Sequence, residues 1–291
     1  MVNNFYSKIK LNFQLLYHPI LINAYVYGKG LEIIHENWGD DINWFFLKEI
    51  IKRPVFLFDR ISLAMRFNFT NYLVIGSTID MLCRKNTEIW GAGLIDGSKP
   101  LRIKPKKVYA VRGPLTRMAL INQGVDCPEV YGDPALLIAK YYQPHVEKKY
   151  KYGFIPHRSN LNDFNQIKIN DRFIKDCNDI LVIDLSQYEN WRDIPDQICS
   201  CENIISGSLH GLIIAEAYHI PNVWMEFGKP LIGGHFKFHD FFQSIGIDRE
   251  KPLLIKDKFS LDDIDYELSN WKPGSINLQP LIDAAPFIIS L

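Results

Sequence analysis

The sequence predicts an α/β protein built as two successive halves. Short apolar runs end on small or polar turns and are followed by segments with helical spacing, and this rhythm begins again after residue 150. The chain has 291 residues, more than the usual domain of about 100–200 residues. We therefore predict two α/β domains, residues 1–145 and 146–291, with a cleft between them.

Charge and cysteine content exclude several classes of protein. Lys plus Arg and Asp plus Glu both number 33, so no basic surface for nucleic acid is predicted and an anion site must be local. Five scattered cysteines without a C-x-x-C pair, and no secretory signal, indicate a reducing, cytoplasmic compartment. No run of eighteen apolar residues predicts a transmembrane helix, but the apolar, aromatic residues 11–27 leave a peripheral membrane contact open.

The first half begins with a predicted strand or packed entry segment at residues 20–27. An amphipathic helix follows at 42–51, opened by a turn in which Asp40 or Asp41 is the N-cap. The functional alternative is that Asn37, Asp40 and Asp41 hold substrate hydroxyls or supply a general base at this corner between strand and helix.

Three further strands are predicted at residues 72–75, 87–90 and 107–111, and each ends on a small or polar turn. In parallel sheets, ligands bind beyond the carboxyl ends of the strands, so these turns line one edge. Arg112 stands between the third strand and the helix that opens at Pro114. Its guanidinium matches a phosphate or carboxylate, and the alternative is a structural pair with Asp133.

The second half contains predicted strands at 152–156, 180–183 and 204–205 and a helix at 191–200. His157 and Arg158 follow the first of these strands. After the third, the turn 206–208 opens a helix at 209–217, whose free N–H groups suit an anion beside Ser208 and His210. The alternative is that Ser208 only caps the helix and His210 is a surface residue.

A strand at 222–225 precedes a glycine-rich loop that carries Lys229, and an aromatic helix follows at 236–245. His235 and His239, with Asp240, have metal-ligand spacing, but surrounding phenylalanines and the lack of a third ligand at a fixed offset favour no metal. The last predicted helices, 260–271 and 276–288, are of the kind that crosses back to the first domain.

Six short motifs, in this order and spacing, resemble the polysaccharide pyruvyl transferase family. They are Asn-Trp-Gly-Asp-Asp at 37–41, Trp-Gly-Ala-Gly at 90–93, Ala-Val-Arg-Gly-Pro at 110–114, Gly-Asp-Pro-Ala at 132–135, Ile-Pro-His at 155–157 and Ser-Gly-Ser-Leu-His-Gly at 206–211. The resemblance implies two Rossmann-like domains facing a central cleft, as in GT-B glycosyltransferases. It also implies transfer of pyruvate from phosphoenolpyruvate to two sugar hydroxyls as a cyclic ketal, without a metal or nucleotide cofactor.

The resemblance also implies roles for single residues. His210 would be the general acid or would stabilise the departing phosphate, while Arg112 and Lys229 would bind the donor. Asp40 or Asp41 would bind the acceptor or take its proton.

His157 is a second acid–base candidate. Leu209 stands where many members of the family have arginine or methionine, so Lys229, Arg158 or Arg112 would have to supply the missing cation.

Two other functions stay open. A GT-B glycosyltransferase would bind a nucleotide sugar, with Glu216 contacting ribose, and a noncatalytic module would bind carbohydrate or an anion without turnover. A dinucleotide enzyme is set aside because no G-x-G-x-x-G follows a strand. The sequence does not select the acceptor sugar, and a lipid-linked or nucleotide-linked acceptor at the inner face of the cell membrane fits capsule or exopolysaccharide assembly.

Overall fold

The computed structural model describes residues 10–169, 172–256 and 259–290. The chain divides into two units, the first formed by Met1–Pro134 with Ile276–Leu291 and the second by Ala135–Ser275. Each unit contains a parallel five-stranded sheet. The predicted α/β class with two Rossmann-like units, consistent with a GT-B-like protein, is therefore confirmed.

The strands and helices follow one another in chain order. The strands are β1 (Ile20–Ile22), β2 (Tyr27–Lys29), β3 (Glu32–Ile34), β4 (Val55–Leu57), β5 (Asn71–Leu73), β6 (Thr87–Trp90), β7 (Lys107–Ala110), β8 (Tyr150–Ile155), β9 (Lys168–Ile169), β10 (Arg172–Phe173), β11 (Ile180–Val182), β12 (Cys201–Ser206), β13 (Asn222–Phe227) and β14 (Leu253–Ile255). The α-helices are α1 (Trp38–Ile50), α2 (Ser62–Arg66), α3 (Ile79–Leu82), α4 (Pro114–Ile121), α5 (Ile138–Tyr141), α6 (Leu161–Phe164), α7 (Asp193–Cys199), α8 (Leu209–Ala217), α9 (Phe236–Ser244), α10 (Leu261–Ser269) and α11 (Gln279–Asp283). Short 3-10 helices lie at Gln14–Tyr17, Phe58–Arg60, Pro134–Leu137, Arg158–Asn160 and Ile174–Asp176.

The sheet of the first unit has the strand order β4-β1-β5-β6-β7, and all neighbours are parallel. Numbered by their order along the chain, these five strands run 2-1-3-4-5, which is a doubly wound arrangement. The order reverses between β1 and β5. The antiparallel hairpin β2–β3 is inserted between β1 and α1.

The sheet of the second unit has the order β11-β8-β12-β13-β14, again with parallel neighbours. In chain order this is also 2-1-3-4-5, with the reversal between β8 and β12. The central strand β12 pairs Ile204 with Gly153 on one side and with Asn222 on the other. Ligands of doubly wound sheets bind at such a reversal, beyond the carboxyl ends of the strands.

The core of the first unit is completed by the last residues of the chain. Trp90 donates its indole N–H to the Leu281 carbonyl at 2.7 Å, and its ring meets Phe287 edge-on, with centroids 5.3 Å apart. Ile289 forms an antiparallel bridge with Ile51 after α1. These contacts fasten residues 276–290 to strands formed early in the sequence.

Helix α8 is the central helix of the second unit. Eight of its nine residues are buried, and it packs against β12 and β13. A helix that is apolar on every side is expected only where protein surrounds it. The position of the helix therefore fixes its first turn at the carboxyl edge of the sheet.

Two sequence predictions are wrong in the placement of helix ends. The helix expected at 42–51 begins at Trp38, with Asn37 as N-cap, so Asp40 and Asp41 lie in its first turn. Carboxylates there face the free N–H groups and the positive end of the helix dipole, which stabilises the earlier start.

The helix expected at 276–288 is only Gln279–Asp283. Pro280 fits its first turn, but Pro286 has no N–H to continue the helix, and an extended segment follows. Among the described residues, no helix has the length and apolar content to span a membrane.

Candidate functional site

The turn between β12 and α8 lies at the reversal of the second sheet. The Ser206 hydroxyl accepts a hydrogen bond from the Ser208 backbone N–H at 3.1 Å and donates to the Ser208 carbonyl at 2.8 Å. Ser208 occupies the N-cap position, but its side chain makes no capping hydrogen bond. The alternative in which Ser208 only caps the helix is therefore wrong, because Ser206 closes the turn.

His210 lies in the first turn of α8 and is buried, with 8% of its surface exposed. The alternative of a surface histidine is therefore also wrong. The neighbouring Gly211 is needed for this geometry, because a Cβ there would stand 2.4 Å from the Ser206 hydroxyl oxygen. The glycine lets the helix start approach the turn that carries Ser208.

A small cavity of about 20 Å³ opens at the same edge. It is lined by His157, Asn160, Gly207, Trp224, Met225, Glu226, Phe227, Leu231, His235 and Phe238. The ends of β8, β12 and β13 meet here, since a Cβ on Gly207 would lie 3.4 Å from both the His157 nitrogen and the Met225 carbonyl oxygen. The cavity thus occupies the place where a doubly wound sheet binds its ligand.

His157 presents a neutral imidazole at this cavity. Burial, with the charges of Lys237 and Arg158, lowers its pKa from 6.5 to about 4. Its Nδ1 accepts from the Ser159 backbone N–H at 3.3 Å and lies 2.7 Å from the Ser159 hydroxyl oxygen. With Nδ1 as acceptor, the ring proton is on Nε2, so the imidazole can donate one hydrogen bond or take up a proton.

His235 and Glu226 form a pair at the cavity that the sequence did not reveal. His235 Nε2 lies 2.9 Å from Glu226 Oε2. The Trp224 ring meets His235 and His239 edge-on, with centroids 4.9 and 5.5 Å away. In the described part of the chain, no three His, Cys, Asp or Glu side chains form a group that could hold a metal ion. The sequence feature that could have predicted the Glu226–His235 pair is the glycine-rich loop, which begins at Glu226 and ends at His235.

Lys229 lies on that loop and is exposed. It follows Gly228, whose φ of +72° favours glycine. The Asn160 amide donates to the Phe227 carbonyl and ties the base of the loop to the segment after β8. Arg158 is also exposed and lies on that segment. Two cations thus lie on segments that border the cavity.

Arg112 has a different environment in the first unit. It is fully buried, and its guanidinium donates to the Ser77 hydroxyl and, at 2.8 Å, to the Leu94 carbonyl. A Cβ on Gly93 would stand 2.4 Å from the Arg112 Cζ atom. Asp133 is equally buried and accepts from the Gly76 N–H at 3.3 Å. Arg112 and Asp133 therefore hold the turn that follows β5.

The start of α1 is fastened to the same strand. Asn43 accepts from the Ile75 N–H at 3.0 Å and donates to the Ile75 carbonyl at 3.1 Å. One turn earlier, the Asn37 amide donates to Asp40 Oδ2 at 2.7 Å. Asp41 is buried, with Oδ2 3.6 Å from His35 Nδ1. Asn37, Asp40 and Asp41 therefore come together beside the carboxyl end of β5.

Glu216 lies at the other edge of the second sheet. It accepts from the Asn222 amide at 2.8 Å, from Arg249 at 3.0 Å and from the Gly274 N–H at 3.0 Å. These contacts are at the end of α8 and the beginning of β13, opposite the cavity. The predicted ribose contact of Glu216 in a nucleotide-sugar enzyme is therefore wrong.

Two doubly wound α/β units, one with a small cavity at its strand reversal, define a class of proteins that bind small ligands at the carboxyl edge of a parallel sheet. A model of one family, "Polysaccharide pyruvyl transferase", matches residues 79–227, just over half of the chain. The chain belongs to the polysaccharide pyruvyl transferase family. The resemblance of its motifs is thereby confirmed.

Two curated relatives are similar to the chain. "Uncharacterized protein L143" of Acanthamoeba polyphaga mimivirus is 29% identical over 237 residues, 78% of each chain. "Succinoglycan biosynthesis protein ExoV" of Rhizobium meliloti (strain 1021) is 27% identical over 222 residues, 73% of this chain and 63% of ExoV. No solved structure matches the chain significantly.

The family match separates the expected site residues into two groups. It contains Arg112, His157, Arg158, Ser208 and His210, and it excludes Asn37, Asp40, Asp41 and Lys229.

Proposed function

We propose that the protein transfers pyruvate from phosphoenolpyruvate to two hydroxyls of a sugar as a cyclic ketal, in the assembly of an exopolysaccharide or capsule. The observation that carries the proposal is the buried His210 in a turn that belongs to the family match and lies at the strand reversal of the second sheet. The name of ExoV supports the polysaccharide context.

Donor binding would use the start of α8. Phosphoenolpyruvate carries a phosphate and a carboxylate, and backbone N–H groups at a helix start favour such anions. The Ser208 side chain is at this start and makes no capping hydrogen bond. Lys229 and Arg158, both exposed, would supply positive charge at the same edge.

The reaction balances without a cofactor. A proton adds to the methylene carbon, a sugar hydroxyl attacks the adjacent carbon, and the bond from that carbon to the phosphate oxygen breaks. The second hydroxyl then attacks the same carbon and closes the ketal. Of the two protons lost by the hydroxyls, one balances the new methyl group and the other leaves with phosphate.

We assign His210 to protonation of the methylene carbon or to stabilisation of the departing phosphate. His157, neutral at pH 7, and His235, paired with Glu226, are the groups at the cavity that would take up a hydroxyl proton.

Asn37, Asp40 and Asp41 would bind the hydroxyls of a lipid-linked or nucleotide-linked acceptor. We assign Arg112 to holding the turn after β5, because its guanidinium is fully buried and already donates to Ser77 and Leu94.

The test is phosphate release from phosphoenolpyruvate by purified protein, measured against a panel of lipid-linked and nucleotide-linked sugars. We expect release that depends on one acceptor and falls by about 10²–10⁴-fold in His210→Ala. His145→Ala, at an exposed position, is the matched control and should keep full activity.

Near-normal turnover of His210→Ala would refute its role. If no acceptor gave release, phosphoenolpyruvate did not bind, and nucleotide was instead released from a nucleotide sugar, the protein would be a glycosyltransferase. Binding of sugar or anion without any turnover would make it a noncatalytic module.

A further inference from the structure

An exposed apolar patch lies on the first unit, away from the residues discussed above. We call it the aromatic patch and define it by five side chains with their exposed fractions: Phe13 (60%), Leu16 (72%), Tyr17 (66%), Phe67 (61%) and Phe69 (41%). Isolated exposed apolar residues are ordinary in proteins, but a group of five large ones on two adjoining segments indicates an interaction surface.

The two segments that carry the patch are held together. Asn12 accepts from the Leu63 backbone N–H at 3.0 Å and donates to the Ser62 hydroxyl at 3.1 Å. Leu15 turns inward and packs against a buried cluster that includes Phe58 and Ile61. Because Leu15 anchors the segment, the aromatic patch is a fixed outward face of folded structure.

An open groove runs beside the patch. Its lining includes Leu15, His18, Arg53, Phe67, Phe69 and Asn86, and among the described residues that line it none is acidic. The Arg53 guanidinium donates to the His18 carbonyl and so is held within the groove. The groove thus combines a fixed cation with aromatic walls.

The charge around the patch differs from that of the whole chain. The protein has equal numbers of acidic and basic residues, yet residues 10–21 and 61–72 contain Lys10 and Arg66 and no aspartate or glutamate. The Arg66 guanidinium lies over the Phe67 ring, 5.7 Å from its centroid. The patch is therefore an apolar, aromatic surface with a cationic edge.

We propose that the aromatic patch docks the protein on the surface of an anionic lipid bilayer. Aromatic and leucine side chains partition into the headgroup region, while Lys and Arg beside them attract lipid phosphates. Contact between two copies through this patch would instead bring Arg53 and Arg66 of each copy close to those of the other, and like charges repel. The proposal rests on the charge and exposure of this surface and is independent of the proposed reaction.

The test is co-sedimentation of the purified full chain with vesicles of phosphatidylcholine alone or mixed with phosphatidylglycerol. We expect binding only to the mixed vesicles and weaker binding at higher salt. Leu16→Gln combined with Phe67→Gln should weaken binding at least tenfold, since two buried apolar groups are lost. Arg66→Gln should weaken it about fivefold.

The matched control is Tyr266→Gln combined with Leu254→Gln. These residues lie in the second unit and are 70% and 61% exposed, close to the values for Leu16 and Phe67. The control should bind vesicles as the unchanged protein does.

Equal binding to both vesicle types would overturn the proposal. An equal loss of vesicle binding in the control variant and in the patch variant would also overturn it. So would a dimer in analytical ultracentrifugation that the patch variant breaks, if no vesicle binding accompanied it.

Discussion

The two sheets have the same strand order but use their carboxyl edges differently. At the first sheet, buried polar groups bond to neighbouring backbone and side chains: Arg112 to Ser77 and Leu94, and Asn43 to Ile75. At the second sheet, the strand ends line a cavity, and the Ser208 side chain at the N-cap position makes no capping hydrogen bond. Strand order therefore fixes where a site can form, while the side chains decide whether that place is filled.

The two edges should respond differently to substitution. Substitutions at the first edge should mainly lower stability, because they remove partners of buried polar groups. Substitutions at the second edge should mainly lower donor binding or turnover.

The largest effect on stability is expected for Arg112→Met. It removes a fully buried guanidinium and leaves the Leu94 carbonyl without that donor, so the free energy of unfolding should fall by about 3–5 kcal/mol in urea titration. Arg102→Met, the same substitution at an exposed position of the first unit, is the matched control. A stable Arg112→Met with only a raised KM for phosphoenolpyruvate would mean that Arg112 binds the donor directly, and the division between the edges would fail.

Next in size is the contrast between Gly93→Ala and Gly207→Ala. A Cβ at Gly93 would lie 2.4 Å from Arg112 Cζ, whereas at Gly207 the nearest atoms are 3.4 Å away. Gly93→Ala should therefore cost about 2 kcal/mol and Gly207→Ala less than about 1 kcal/mol. Gly207→Ala should still weaken donor binding, because the new methyl group enters the cavity lining. Thermal melting and a donor titration give the two readouts, and equal melting temperatures would contradict the prediction.

The third prediction concerns the pH dependence of stability. His157 has a pKa of about 4 in the folded protein and about 6.5 when unfolded, so between these values the unfolded chain binds more protons. The contribution of His157 to the free energy of unfolding should therefore be fully present above pH 6.5 and be lost as the pH falls towards 4. The loss should be roughly 2 kcal/mol after allowance for partial exposure.

The readout is urea unfolding at several pH values. His157→Gln should lose this part of the pH dependence, and His145→Gln, at an exposed site, should keep it. An unchanged slope in His157→Gln would show that the imidazole titrates normally and would weaken its assignment as a neutral group in the cavity.

The smallest effect compares two serines at helix starts. The Ser260 hydroxyl accepts from the Asp262 N–H at 3.1 Å, whereas Ser208 makes no such bond. Ser260→Ala should therefore cost about 1 kcal/mol of stability and Ser208→Ala only a few tenths. If Ser208 contacts the donor phosphate, Ser208→Ala should raise the KM for phosphoenolpyruvate about tenfold. Loss of stability in Ser208→Ala as large as in Ser260→Ala, without a change in KM, would contradict both parts of this prediction.

Much of the fold followed from local patterns. Apolar runs ending on small or polar residues located eight of the ten sheet strands, and Pro114 marked the start of α4, but the edge strands β4 and β14 were not predicted. The strand order was not accessible, because pairing between β12 and β8 depends on contacts about fifty residues apart. The motif residues of the second edge were found, but the Glu226–His235 pair was hidden, since the loop between the two residues has no periodicity.

Burial was the least accessible property. Arg112 and His210 were identified as site candidates, yet sequence alone did not distinguish an open guanidinium from one fully enclosed, or a surface imidazole from a buried one. These differences depend on how Gly93 and Gly211 let distant segments approach.

The return of residues 276–290 to the first unit has a consequence for biosynthesis. The second unit is one continuous segment, so all its residues are synthesised before residues 276–290. The first unit must wait for Leu281 and Phe287 to reach Trp90. During translation the earlier half of the sequence therefore completes its core last, and until then the apolar surface around Trp90 is exposed to aggregation.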